Sequence, residues 1–255
     1  MILFLFEGKQ REPALYQTIQ RIFFPKENQH IVCSFGNNIY ELYKELQEYD
    51  GDGDLVAVLM DKFRDKDDNP FKGIKTASDF SEIYLFFDYD FHNRNLSLEE
   101  INREVSEMLE MFSDESENGK LYINYPMVES IRYTKYLPDA EYYSYKVTRE
   151  QCRNFKHIAS EFSDYNSFDY VQIDPRKKPT KEKLEQLRNN WQYLIEQNIV
   201  KANFICTGNR NIPDRKEDIS QGIIFKEQLI KYVLTDCCSV PVLCAFPLFL
   251  YDYFK

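Results

Sequence analysis

Ser81-Glu82-Ile83-Tyr84-Leu85-Phe86-Phe87-Asp88-Tyr89-Asp90-Phe91-His92 decides how the rest of the chain is read. Ile83 to Phe87 is an unbroken apolar run with Tyr89 beyond it. Such a run suits a strand covered on both faces, as in a parallel sheet. It leads straight into two carboxylates. Side chains alternate along a strand, so Asp88 and Asp90, two apart, are expected on one side. Two acids side by side repel unless water, a proton or a cation lies between them. At the C-terminal end of a strand, where α/β proteins place their sites, the fitting occupant is a hard divalent ion. The plain alternative is a solvated strand end with two surface acids.

N-terminal to this stretch, Ile2 to Phe6 is another buried strand, ending at Glu7-Gly8. A helix from Glu12 or Pro13 to about Phe24 follows, with Pro13 in its first turn and Leu15, Ile19 and Ile22 at helical spacing. His30 to Phe35 is a short strand. Gly36-Asn37-Asn38 is a turn in which Asn37 or Asn38 caps a helix over Ile39 to Tyr49. Strand, helix, strand, helix means βαβ units and a parallel sheet. Asp50-Gly51-Asp52-Gly53-Asp54 imitates a calcium loop, but its register is shifted and position 61 is Asp where the loop needs Glu. It reads as an acidic turn at the start of an insertion, about 52–80, with a helix or strand over Leu55 to Phe63.

C-terminal to it, Ser97 and Glu100 form a capping box for a helix to about Phe112. Asp114 to Gly119 is a polar loop and Lys120 to Asn124 a fourth strand. Tyr125-Pro126 breaks that strand, and Met127 to Tyr133 is a short helix containing Glu129. Residues 1–135 are thus expected to form an α/β unit, a mostly parallel four-stranded sheet flanked by helices. Residues 136–255 are expected to be mainly helical: Thr148 caps a helix to about Phe162, Thr180 caps one from Lys181 to about Gln197, and Gln221 to Tyr253 makes one or two more.

The 255 residues are 43% hydrophobic with 19 Tyr and 20 Phe, enough for a substantial core, and only eight Gly argue against a loop-rich fold. Six Cys show no CxxC spacing, which suits reduced thiols in a cytoplasm better than a zinc knuckle or a disulfide framework. The first residues lack a positive n-region and meet Glu7 at once, so a strand is expected and not a signal peptide. Val240 to Tyr253 is apolar but too short to span a bilayer. The net charge of −10 counts against a protein that merely coats nucleic acid. It leaves room for a nuclease, because bound cations offset clustered acids.

Glu7 and the Asp88/Asp90 pair end two strands that, if adjacent and parallel, bring their acids together. Glu12 opens the first helix and Glu129 the helix after the fourth strand. Each is either a further ligand or an acid favoured by the helix dipole. One or two Mg²⁺ or Mn²⁺ ions on such a rim would suit the two-metal scheme for phosphodiesters.

Glu7-Gly8 closing an N-terminal strand, with Asp88-x-Asp90 closing a later one, resembles the Toprim domain of topoisomerases, primases and OLD-type nucleases. Glu7-Gly8-Lys9-Gln10-Arg11-Glu12-Pro13-Ala14-Leu15-Tyr16 is similar to the E-G-x-x-x-E-P-x-Y/F opening of RloB-like and OLD-like Toprim proteins. Asn124-Tyr125-Pro126-Met127-Val128-Glu129 is similar to their later N-P-x-x-E segment, with Tyr125 inserted. The resemblance covers about residues 1–135. It implies Glu7 as metal ligand and general acid or base, Asp88 and Asp90 as metal ligands, and Glu12 and Glu129 at a second metal position. It also implies a toxic nuclease effector of an anti-phage system with a partner ATPase. Where the family has a Gly soon after the DxD, this chain has Phe91-His92-Asn93. His92 then either orients a phosphate or lies in an exposed loop, and neither Lys9 nor Lys135 can be assigned as the transition-state cation.

For nucleic-acid contact, Arg149, Arg153 and Lys156 fall at i, i+4, i+7 and are expected to form one basic helix face. Arg176-Lys177-Lys178 with Lys181 and Lys183 is a second basic run. Both alternatively serve as solvated surface. Two other classes stay open: a non-catalytic Toprim-like docking subunit, and a metal-dependent phosphotransferase for small substrates.

Overall fold

The apolar runs become the strands they spell. In the computed structural model, which describes residues 1–24, 29–49, 54–93 and 95–255, β1 (Ile2–Phe6), β2 (His30–Ser34), β3 (Glu82–Asp88) and β5 (Gly119–Asn124) pair in parallel in the order β2-β1-β3-β5. A two-residue strand, β4 (Ser113–Asp114), adds an antiparallel edge to β5. The sheet is therefore five-stranded where four strands were expected. The polar 114–119 segment is a tight hairpin whose Gly119 has φ 111°, a conformation open to glycine.

β1, β3 and β5 bury both faces, while β2 is partly exposed and β4 lies at the exposed edge. Phe4, Phe6, Tyr84, Phe86 and Tyr122 point one way, where Tyr16 of α1 (Arg11–Phe23) and Phe246 and Phe249 of α9 (Ala245–Phe254) pack on them. Leu3, Leu5, Leu85 and Phe87 are equally buried and point the other way by alternation. Phe35 covers Phe87 there, and α2 (Ile39–Glu48) packs on α4 (Leu98–Met111). Asn38 caps α2 and the Ser97/Glu100 box caps α4, as the sequence predicts. Asp54 caps α3 (Leu55–Phe63), which resolves the Leu55 to Phe63 segment as helix. The acidic turn expected at Asp50–Asp54 lies outside the described residues apart from Asp54. The 54–80 connection is not wholly polar, since Phe63, Phe71 and Phe80 make ring contacts within it.

The second half departs from the expectation in three places. A short ribbon, β6 (Lys146–Thr148) with β7 (Ser239–Pro241), interrupts the helices. The helix expected from Thr148 to Phe162 is two, α5 (Arg149–Cys152) and α6 (Phe155–Phe162), so Arg149, Arg153 and Lys156 do not share one helix face. The long helix α7 (Lys181–Thr207) runs past Gln197 to a Gly208 cap with φ 83°. Its later turns bury Asn198, Lys201 and Asn203 among apolar residues. α8 (Gln221–Gln228) follows. One buried cluster extends from Ile2 to Tyr251, so α9 completes the sheet's core. Among the described residues no helix is long and apolar enough to cross a membrane.

Strand order locates the functional edge. The chain leaves β1 towards β2 on one side and leaves β3 towards β5 on the other. Between the C-terminal ends of β1 and β3 lies the switch point at which open α/β sheets form their crevice. Glu7 follows β1 and Asp88 ends β3.

Candidate active site

The β1–β3 ladder runs one residue past β1: the Glu7 N–H donates to the Phe86 carbonyl at 3.0 Å. The Glu7 side chain then turns back, and its Oε2 accepts from the Asp88 N–H at 2.9 Å. The acids of the two strands are therefore neighbours. Gly8 follows because Glu12 leaves no room for a side chain. A Cβ there would stand 2.6 Å from Glu12 Oε2, while the Gly8 N–H donates to Glu12 Oε1 at 3.0 Å. Glu12 is buried, so it is no ordinary exposed dipole-favoured acid.

Asp88 and Asp90 reach one cleft, though not by strand alternation. β3 ends at Asp88, and Asp90 takes φ 45°, a left-handed conformation that Asp tolerates better than most residues. The turn is set by the Asp90 N–H on the Pro126 carbonyl at 3.1 Å and the Asn93 N–H on the Asp90 carbonyl at 2.8 Å. Arg149 braces it: Nε donates to the Phe91 carbonyl at 2.8 Å and Nη2 to the Asn93 carbonyl at 3.4 Å. Asp88 is further fixed by Asn124, its register partner on β5. Asn124 Nδ2 donates to Asp88 Oδ1 at 3.0 Å, and Asn124 Oδ1 accepts from the Ala245 N–H, the first residue of α9, at 2.9 Å.

The resulting cleft, about 380 Å³, is lined by Glu7, Asp88, Asp90 and His92 from the strand ends and the turn after β3, by Arg153, Asn154 and Lys156 from the α5–α6 segment, and by Met127, Cys152 and Phe155. Burial pushes Glu7 and Asp88 well above the ordinary carboxylate range, and the neighbouring acids push the same way. Burial raises Asp90, against the pull of His92 and Lys156. Burial also raises Glu12, against hydrogen bonds from its own N–H and that of Gly8. Lys156 Nζ stands 3.8 Å from Glu129 Oε1, which brings Glu129 to the rim.

Of the residues singled out in the sequence, Glu7, Asp88, Asp90, Arg153 and Lys156 line this cleft, Glu129 reaches its rim beside Lys156, and Glu12 sits against Gly8. His92 lines it too, its Nδ1 3.8 Å from Asp90 Oδ1, and is not a free loop residue. Lys177 pairs with Asp174 at 3.4 Å on the surface, and Lys178 is exposed beside it. Neither lines the cleft. Lys9 lies against Gly36 and Lys135 over the Phe162 ring, while Lys156 is the lysine that lines the cleft. Asn124 went unassigned in the sequence, although its position, polar at the end of the apolar run Leu121 to Ile123, marked it. A cleft of similar size, about 400 Å³, opens beside Lys120, at the other end of the strands. Its lysines, Lys120 and Lys216, both pair with Asp252, at 2.6 and 3.4 Å, and Lys120 also pairs with Glu115 at 3.4 Å.

The donor set suits a hard cation. All its strong ligands are carboxylate oxygens, and Glu129 Oε2 is buried with no hydrogen-bond partner. Among the described residues no three His, Cys, Asp or Glu side chains already converge on one point, so binding would require rotation of these side chains. No family model, curated protein or solved structure matches the chain.

Proposed function

We propose that the protein is a divalent-metal-dependent phosphodiester hydrolase acting on nucleic acid, of Toprim-like type. The observation that carries this reading is the meeting of Glu7 with Asp88 and Asp90 at the switch point of the sheet, in a cleft shared with Lys156. Glu7, Asp88, Asp90 and the free oxygen of Glu129 would hold Mg²⁺ or Mn²⁺. Such an ion supplies a water of lowered pKa and charge compensation at the leaving oxygen. The chain's own groups do the rest. Lys156 holds the non-bridging phosphate oxygens. Without an ion, burial keeps the Glu7 proton on above the usual range, so ion binding would release it and free the carboxylate as a ligand. Met127 and Phe155 keep bulk water off one side.

On the resemblance alone, the reading extends to the toxic effector of an anti-phage system restrained by a partner ATPase. The test is cleavage of plasmid DNA and of transfer RNA in Mn²⁺. Glu7→Ala and Asp88→Ala are each expected to abolish it. Cleavage at the wild-type rate by both variants would overturn the reading.

A further inference from the structure

A second cleft adjoins the acidic one. It measures about 630 Å³ and is lined by His92, Leu96, Ser97, Arg149, Glu150 and Arg153. His92 and Arg153 line both clefts, so the two are continuous. The two arginines differ in their commitments. Arg149 is spent on the backbone of the 91–93 turn. Arg153 is exposed in the break between α5 and α6, and among the described residues its guanidinium has no ion pair or hydrogen bond, Glu150 on the same wall included. Arg153 ends α5 in helical conformation and shares one cleft with Arg149 and the other with Lys156, which lies beyond the break at Asn154.

An unpaired guanidinium offers a planar fork that matches phosphate oxygens. Each cleft falls in the size range of ligand pockets, and a strand running from one into the other would pass the Arg153 they share. A small phosphate ester would fill the acidic cleft and leave the arginine cleft unused. We propose that the arginine cleft, through Arg153, holds the phosphate next to the scissile one, so that the substrate of this site is a polynucleotide strand and not a mononucleotide or small ester. This rests on the phosphodiesterase reading above and specifies its substrate.

The test is fluorescence anisotropy of a labelled single-stranded oligonucleotide, as DNA and as RNA, in Ca²⁺ over a series of salt concentrations. A p-nitrophenyl phosphodiester of thymidine, with its hydrolysis followed in Mn²⁺, reports on small substrates. Arg153→Ala is expected to weaken strand binding about tenfold and to reduce the slope of log K against log salt by about 0.7, one phosphate contact on a single strand. Arg153→Lys should restore the slope and only part of the affinity. Hydrolysis of the small ester should be unchanged in both. If wild type binds the strand and Arg153→Ala binds it with an unchanged slope, this inference is overturned while the phosphodiesterase reading stands. Hydrolysis of the small ester without strand binding overturns the inference and restricts the activity to small substrates. Neither binding nor hydrolysis overturns both.

Discussion

Asp88→Asn should make the metal-free protein more stable, and more so at alkaline pH. Asp88 is 7% exposed and faces Glu7, Asp90, Glu12 and Glu129. Asparagine has the same shape and keeps the acceptor for Asn124 Nδ2, so the change removes charge and little else. A carboxyl whose folded pKa is raised contributes fully below its unfolded pKa, and that contribution is lost as pH rises through the folded pKa. Holding one carboxyl protonated costs at most about 1.36 kcal/mol per unit above about pH 3.9, hence about 1.5 kcal/mol at pH 5. At pH 8 the limit is repulsion, about 3 kcal/mol for like charges about 5 Å apart at an effective dielectric of about 20. A chain of this size gains about 2–4 °C in Tm per kcal/mol. Metal-free Asp88→Asn should therefore melt about 3–6 °C above wild type at pH 5 and about 6–12 °C above it at pH 8. Saturating Mn²⁺, near 100 times Kd, should add about 2.7 kcal/mol to wild type and far less to the variant. Differential scanning fluorimetry at both pH values, with and without Mn²⁺, reads all four quantities. A variant less stable than wild type at pH 8 without metal, with an equal Mn²⁺ response, would refute the account of these acids as a repulsive, cation-ready set.

Asn124→Ala removes the bridge between Asp88 and the first residue of α9. A loss of about 2–4 kcal/mol is expected from two buried hydrogen bonds and a small cavity. Denaturant unfolding should show it, together with faster hydrogen exchange at the Ala245 amide. Lys201 is fully buried, donating to the Tyr142 and Tyr145 carbonyls at 2.9 and 2.5 Å, and burial drives its pKa well down. Below its unfolded pKa, about 10.4, the unfolded chain binds the extra proton, so this lysine's penalty grows as pH falls towards the folded pKa. Both carbonyls keep another donor, the Tyr145 and Val242 N–H groups. Lys201→Met should therefore gain about 1–2 kcal/mol at pH 7, with the gain shrinking by pH 9.5. A gain that does not change with pH would mean the amine stays charged inside.

The parallel sheet and its acidic edge were legible because the information is local and continuous. Ile2 to Phe6 and Ile83 to Phe87 are buried on both faces, so each reads as an unbroken apolar run, and each run stops at an acid. What escaped was set by distant contacts. β6 and β7 are three residues each and pair across most of the second half. The end of α7 was hidden because Asn198, Lys201 and Asn203 look like surface residues but bond within the interior. The break after Cys152 has no Pro or Gly to announce it. The Asn154 carbonyl starts the second helix by accepting from the Ile158 N–H, and Asn154 itself leaves the helical conformation.

Asn124 ties the order of synthesis to the site. The amide that aims Asp88 is itself secured by the N–H of Ala245, 121 positions further along the chain. A ribosome still translating the middle of this protein carries Glu7, Asp88 and Asp90 without that last anchor. Glu7 and Asp88 already meet through β1 and β3, and the docking of α9 then locks the orientation of Asp88.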